Sequence, residues 1–234
     1  MTDDNYDYRI ATSADRQRIL DFLLEHFYKE EPLCRASKMS KEELLKVVSH
    51  IVDISLKDPF STIVTCKSTF YAKLVDYVYF SLHTNLFSGA ILNELHNSFF
   101  DLVPDHVKTV LHREISSVGK PYQRQGIATK MMNFSFSYEK LQYGIDGIMS
   151  ETSSFANQKL LARYGFKRLK VIRLSDWRDS NGRPLLQPDD GTEEAVLNWK
   201  PVEELVFIDH YHLSLGYCLF GSLFNSSNDS STKK

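Results

Sequence analysis

Residues 118–129, Val-Gly-Lys-Pro-Tyr-Gln-Arg-Gln-Gly-Ile-Ala-Thr, restrict the fold of this chain more than any other stretch. An extended apolar run over 112–118 leads into them. An amphipathic pattern follows at once, with Ile127, Met131, Phe134, Tyr138 and Leu141 spaced four, three, four and three apart. Such spacing lays one helix face on a core, so the segment is expected to be strand, tight loop and helix. Within it, Gln123-x-x-Gly126-x-Ala128 puts small residues where a bound group must approach the main chain. Gly126 has no side chain to obstruct that approach and tolerates dihedrals that other residues resist. The first helical turn adds unpaired N–H donors and the positive end of the helix dipole, a combination suited to phosphate. Arg124 supplies a full positive charge beside it. A glycine near a helix start with no ligand is the plain alternative.

Around this unit, alternation and capping residues outline the other elements. A strand is expected at 6–10. A helix capped by Thr12 or Ser13 follows, with Ile19, Leu20, Leu23, Leu24 and Phe27 inward, ending at Glu30-Glu31-Pro32-Leu33. Ser40-x-x-Glu43 is a capping box before Leu44, Val47, Val48 and Ile51. Strands are expected at 62–66 and 74–83, the second alternating Val75, Tyr77 and Tyr79 against Val78, Phe80 and Leu82. Residues 85–110 read as irregular or weakly helical, broken by Pro104. Beyond the motif come a short buried strand at 145–149, a helix at 155–164 stopped by Gly165, a strand at 166–174, a polar loop at 176–191 and a last strand at 193–199. The expected class is α/β with a mixed sheet flanked by helices, in a single domain over 1–224. Residues 203–224 form an apolar extension of open structure, and 225–234 a serine-rich disordered tail.

Bulk properties narrow the function. The 234 residues, 42% hydrophobic and 25% charged, suffice for one domain with a substantial core. A net charge of −2 gives no basic footprint for nucleic acid and no electrostatic drive to an anionic membrane. Cys34, Cys66 and Cys218 make neither a disulfide framework nor a metal cluster, which points to a reducing compartment. The acidic N-terminus lacks an apolar leader. The most apolar window, 205–224, is interrupted by Asp209, His210 and His212, so no membrane span is expected and the location is read as cytoplasmic. His210 and His212 lack a third ligand, so no metal is expected.

The stretch around Gly126 resembles motif A of the GNAT (GCN5-related N-acetyltransferase) superfamily, [Gln/Arg]-x-x-Gly-x-[Gly/Ala]. The resemblance implies the GNAT acyl-CoA N-acyltransferase fold, in which two parallel strands, here about 111–118 and 145–151, splay apart. Acetyl-CoA lies in the gap as cosubstrate. It also implies that Gln123, Arg124, Gln125, Gly126, Ile127, Ala128 and Thr129 hold the pyrophosphate, and that the Val118 N–H receives the acetyl carbonyl.

Two further segments resemble the invertebrate arylalkylamine (dopamine-type) N-acetyltransferases. Phe27-Tyr28-Lys29-Glu30-Glu31-Pro32-Leu33 is similar to their Phe-Tyr-x-[Asp/Glu]-Glu-Pro-Leu segment, which maps the proposed general base onto Glu31. Ser153-Ser154-Phe155-Ala156-Asn157 is similar to their Ser-Ser-x-x-Ser run, with Ser153 as a catalytic candidate and Ser154 and Asn157 toward the cofactor. Such chemistry needs a carboxylate, because an amine is mostly ammonium at neutral pH and cannot attack a thioester until deprotonated. Two departures stand out: the tyrosine that many acetyltransferases offer the leaving thiolate is replaced by Leu161, and the third serine by Asn157. Each residue keeps a plainer reading, Glu31 as a solvated turn residue and Ser153 and Ser154 as helix caps. The implied function is acetyl transfer to a small arylalkylamine such as dopamine, tyramine or serotonin, by a monomer or homodimer. A polyamine, amino sugar or protein lysine as acceptor, or a non-catalytic acyl-CoA-binding role, are the alternatives.

Overall fold

Tyr6–Ile10 forms the first strand (β1), and the capping chemistry beyond it behaves as its residues require. The computed structural model describes residues 5–67, 73–82, 89–135 and 143–205, without the side chains of 73–82, 89 and 133–135. Thr12 donates from its N–H and hydroxyl to the Asp15 carboxylate (2.9 and 3.1 Å), opening a single 3-10 turn that runs into α1 (Arg16–Phe22). The helical path continues through a wide π-type turn (Leu23–Phe27) and a last turn, α2 (Tyr28–Glu30). Ile19, Leu20, Phe22 and Leu23 are buried, with Leu24 and Phe27 partly so. Pro32 ends this arm by forcing Glu31 into extended backbone (φ −77°, ψ 121°), then opens a short helix of its own, α3 (Pro32–Ala36). The Ser40–Glu43 box starts α4 (Lys41–Ser55), which buries Leu44, Val48, Ile51 and Val52.

Six further strands follow: β2 (Thr62–Cys66), β3 (Lys73–Leu82), β4 (Val110–Val118), β5 (Gly147–Thr152), β6 (Lys167–Arg173) and β7 (Glu194–Pro201). They form one mixed sheet in the order β1-β2-β3-β4-β5-β7-β6, parallel only between β4 and β5. The stretch read as irregular or weakly helical contains two short helices, α5 (Gly89–Asn97) and α6 (Phe99–Leu102), because Ile91, Leu95 and Phe99 recur every four residues and are buried together, and both helices end before Pro104. The remaining helices are α7 (Ile127–Ser135) and α8 (Phe155–Arg163), the latter stopped at Gly165 (φ 74°). Gly147 is needed for close approach, since an added Cβ would fall against the Trp199 ring and within 2.5 Å of the Lys200 carbonyl oxygen. The alternation expected on β3 concerns side chains outside the described ones. Tyr138, Leu141, His210, His212, Cys218, most of the expected extension and the expected tail also lie outside the described residues.

Two helical layers sandwich the sheet. Leu111 and Ile148 pack with Ile127 and Met131 of α7 and Leu161 of α8. On the opposite face, Val110 and Met149 pack under α5 and α6, and Ile115 under α1 and α4. Leu111 and Ile115 are four apart yet face opposite layers, which a regular strand forbids. The cause is a bulge: Val78 and Phe80 of β3, two apart, align with Ser116 and Arg113 of β4, three apart. The extra residue reverses the side-chain phase of β4 midway along its length.

Candidate active site

β4 and β5 pair only at Val110–Gly147, Leu111–Ile148 and His112–Met149, although both continue, to Val118 and Thr152. Past His112 they no longer pair, and a cleft of ≈ 1470 Å³ opens alongside them. That volume exceeds the roughly 300–1,000 Å³ of a typical single-ligand pocket, so the cleft has room for two reactants side by side.

The motif loop borders one end. A 3-10 turn (Lys120–Tyr122) leads to Gln123, Arg124 sits at φ 62° and Gly126 at φ 79°, and the first α7 bond runs from Lys130 N–H to Gly126 O (3.0 Å). The amides of Ile127, Ala128 and Thr129 precede that bond and are therefore helix-end donors. An added Cβ at Gly126 would meet no atom within 4 Å, so glycine serves the left-handed backbone and leaves the space above it clear. Two motif side chains hold the loop itself. Gln123 donates to the Val118 carbonyl (3.1 Å), while Gln125 donates to Pro121 O (3.2 Å) and accepts from the Tyr6 hydroxyl. Arg124 is exposed beside the amides, and Lys120, Lys159 and Arg163 also line the cleft. A linear diphosphate fits such a cradle of main-chain donors and mobile cations.

Glu30, Glu31, Glu114, Glu151 and Asp190 also line the cleft, together with Lys29 and Arg35, and Lys120 Nζ lies 3.9 Å from Glu30 Oε1. Glu31, at the helix break, accepts from the Cys34 N–H as N-cap of α3, and the Ser153 hydroxyl donates to its other oxygen at 2.8 Å. The two residues named as catalytic candidates thus touch, across 122 positions of sequence. Cys34 is buried, and burial together with the Glu31 carboxylate pushes its thiol well above the usual range, which removes it as a nucleophile. Ser154 acts as the N-cap of α8, accepting from the Asn157 N–H at 3.4 Å, while also lining the cleft.

Glu114 and Glu151 belong to a cluster that no spacing in the sequence announces. His96 Nδ1 is 3.0 Å from Glu151 Oε1, His112 Nε2 is hydrogen-bonded to Glu151 Oε2, and His112 Nδ1 lies 3.4 Å from Glu114 Oε1. Burial opposes the His112 imidazolium, but its two carboxylate neighbours prevail and raise it to about 8. Burial, opposed by His112, raises Glu114 to about 7. Burial opposes ionisation of Glu151 as well, yet His112 and His96 hold it down to about 2. Among the described residues, Glu114 Oε2 is buried with no hydrogen-bond partner. Although donor atoms of His96, His112 and Glu151 lie within 4.8 Å of one another, they are spent on mutual hydrogen bonds.

On the α8 side of the gap, Arg113 is fully buried and donates from Nη1 to Asn157 Oδ1 at 3.1 Å. Leu161 is sealed in the core at 0% exposure and offers the cleft nothing. Tyr164 points elsewhere, its hydroxyl donating to the Thr129 carbonyl at 2.7 Å.

No family model matches the chain, and no curated protein matches it by sequence. Solved structures do. Arylalkylamine N-acetyltransferase 2 from Aedes aegypti superposes with a TM-score of 0.69 at 16% identity, covering 85% of this chain and 99% of that one. A Drosophila melanogaster polyamine N-acetyltransferase, which catalyses the formation of N-acetylagmatine, gives 0.68 at 15% identity over 84% and 100%. An agmatine N-acetyltransferase gives 0.70 at 15% identity over 84% and 99%. Diverging parallel strands, a glycine-opened helix and these matches establish the same conclusion: the chain has the GNAT fold, a mixed sheet between helical layers.

Proposed function

We propose that this chain transfers the acetyl group of acetyl-CoA to the primary amine of a small molecule. The observation that carries the reading is that the motif loop and the Glu31–Ser153 pair line one cleft, beside the strands that stop pairing past His112. The loop amides, with Arg124, Lys159 and Arg163 on the same lining, suit the diphosphate of the cosubstrate, and the Glu31 carboxylate suits an ammonium. Bound acetyl-CoA supplies an activated acyl group. Glu31 takes the proton that the acceptor must lose before it can attack, directly or through water, and Ser153 holds the Glu31 carboxylate in place. The Val118 N–H, at the end of β4, donates to the carbonyl oxygen as charge develops on it.

An arylalkylamine is the first acceptor to test, given the segment around Glu31 and the mosquito neighbour. A di- or polyamine is the second reading, since Glu30 and Asp190 line the cleft beside Glu31 and two structural neighbours are agmatine or polyamine acetyltransferases. Incubation with acetyl-CoA and a panel of dopamine, tyramine, serotonin, agmatine and spermidine, following free thiol, separates the two. Turnover with none, despite coenzyme binding in calorimetry, would replace catalysis by a binding role. Glu31→Gln should lower kcat by about 10²–10⁴ while leaving coenzyme binding intact. Unchanged turnover would remove Glu31 from the chemistry.

A further inference from the structure

Acyl transfer from a thioester needs help at the attacking nitrogen, the carbonyl oxygen and the leaving sulfur, and the reading above provides for the first two only. Leu161, buried in the core, stands at the position of the usual tyrosine, and Tyr164 is bonded to the Thr129 carbonyl. Another pair of residues stands at the gap. Arg113 is the last α8-facing residue of β4 before the bulge, 1% exposed, and its guanidinium reaches Asn157 in the first turn of α8. Asn157 lines the cleft together with Ser116, Val118 and Leu160.

The pairing fixes the Asn157 amide. A guanidinium has donors only, so the partner atom must be Oδ1, and the Nδ2 end with its two N–H donors must turn away from Arg113. Among the described residues Nδ2 makes no hydrogen bond, in contrast to Oδ1 and the Asn157 main-chain N–H. A fixed donor on the cleft wall, backed by a charge that cannot be neutralised, is complementary to an anion that appears during reaction.

We propose that Asn157 donates from Nδ2 to the sulfur of coenzyme A as the thioester breaks, and that Arg113 is the positioning residue that orients Asn157 and places a positive charge behind it. The proposal rests on the acetyl-CoA reading. In the step itself the amine nitrogen forms the new bond to the acetyl carbon, and the C–S bond breaks with its electron pair going to sulfur. The nitrogen gives up its proton to the Glu31 carboxylate or water, and the thiolate later takes one from solvent. Asn157 gains and loses no atom. It lowers the energy of the thiolate, the task a tyrosine performs elsewhere by giving up its proton.

The test reads the sulfur directly. Free coenzyme A is bound to the protein and its thiolate band is followed in the ultraviolet as pH is raised. The bound thiol should ionise at a lower pH than in water. Asn157→Ala should reverse this, leaving about tenfold less thiolate at a fixed pH, one unit of pKa. Asn157→Asp, which presents oxygens alone, should do no better, and Asn157→Ser should restore part of the effect. In single turnovers with an accepted amine, Asn157→Ala should slow acetyl transfer by about 10–100-fold, with KM for acetyl-CoA changed by less than about threefold. Arg113→Lys should fall between wild type and Asn157→Ala in both measurements. If coenzyme A binds but its thiol ionises as in water, or ionises identically in wild type and Asn157→Ala, the proposal is wrong and the cosubstrate reading stands. If coenzyme A does not bind, both fail.

Discussion

Exchanging Glu114 for glutamine keeps the shape of the side chain and removes its titratable proton, which isolates one member of the buried histidine–glutamate cluster. In the folded protein burial raises Glu114 to about 7 from an ordinary 4.5. Below pH 4.5 both folded and unfolded chains hold this proton and its contribution is fully present. As pH climbs, the unfolded chain ionises first, and stability falls until the folded carboxyl ionises near pH 7. The loss amounts to about 3 kcal/mol. His112, raised to about 8 from 6.5, adds a fall of the same sign, about 2 kcal/mol between those pH values. Glu151, held down to about 2, works the other way, since its contribution is present above pH 4.5 and is lost as pH falls toward 2. From these three groups the chain is expected to be most stable near pH 5 and to lose stability steadily toward pH 8. Urea unfolding at pH 5, 6, 7 and 8, extrapolated to water, measures the slope. Glu114→Gln should flatten the segment from pH 5 to 7. It should also shrink the fall above pH 7, because Glu114 is one of the carboxylates that support the His112 charge. A variant whose stability declines with pH as steeply as wild type would refute the reasoning.

Other outcomes follow from the cradle and the sheet. Gly126→Ala forces a side chain onto a backbone at φ 79°, costing roughly 1–2 kcal/mol in unfolding free energy, and should weaken coenzyme A in calorimetry about tenfold. Retained affinity would locate the diphosphate elsewhere. Gly147→Ala drives a methyl into Trp199 and the Lys200 carbonyl, so a loss of roughly 1–3 kcal/mol in thermal unfolding is expected, and a neutral result would show that β5 and β7 can separate cheaply. Ser153→Ala removes the hydroxyl donor from Glu31 and should lower kcat without affecting coenzyme binding, by less than Glu31→Gln does. An effect as large as that of Glu31→Gln would give Ser153 a role of its own.

Much of this architecture was legible in the residues. β1 and β2 match the expected spans at both ends, and the Ser40–Glu43 box marks the start of α4, because alternation and capping are local signals. For α5 and α6 only weak helical character was legible, without bounds, since polar neighbours and Pro104 dilute the four-residue repeat of Ile91, Leu95 and Phe99. The bulge in β4 was not legible, because it depends on the register of β3 against β4, and no run of residues within β4 records that register. Nor was the cluster of His96, His112, Glu114 and Glu151, assembled from α5, β4 and β5 by the sheet order. The contact of Glu31 with Ser153 had no local signature either. Resemblance named each residue, and the fold supplied their meeting.

The bulge has a consequence for how such a protein can change. Because the strand slips phase by one residue between Arg113 and Ser116, its first half turns His112 and Glu114 toward the layer of α1, α4 and α5 and Arg113 toward α8, while Ile115 resumes the first side out of turn. Two chemically opposed surfaces are therefore written on adjacent letters of one segment. Substitutions at 112 and 114 thus act on the buried histidine–glutamate cluster and a substitution at 113 on the Asn157 side, whereas loss of a single residue there would exchange the two faces.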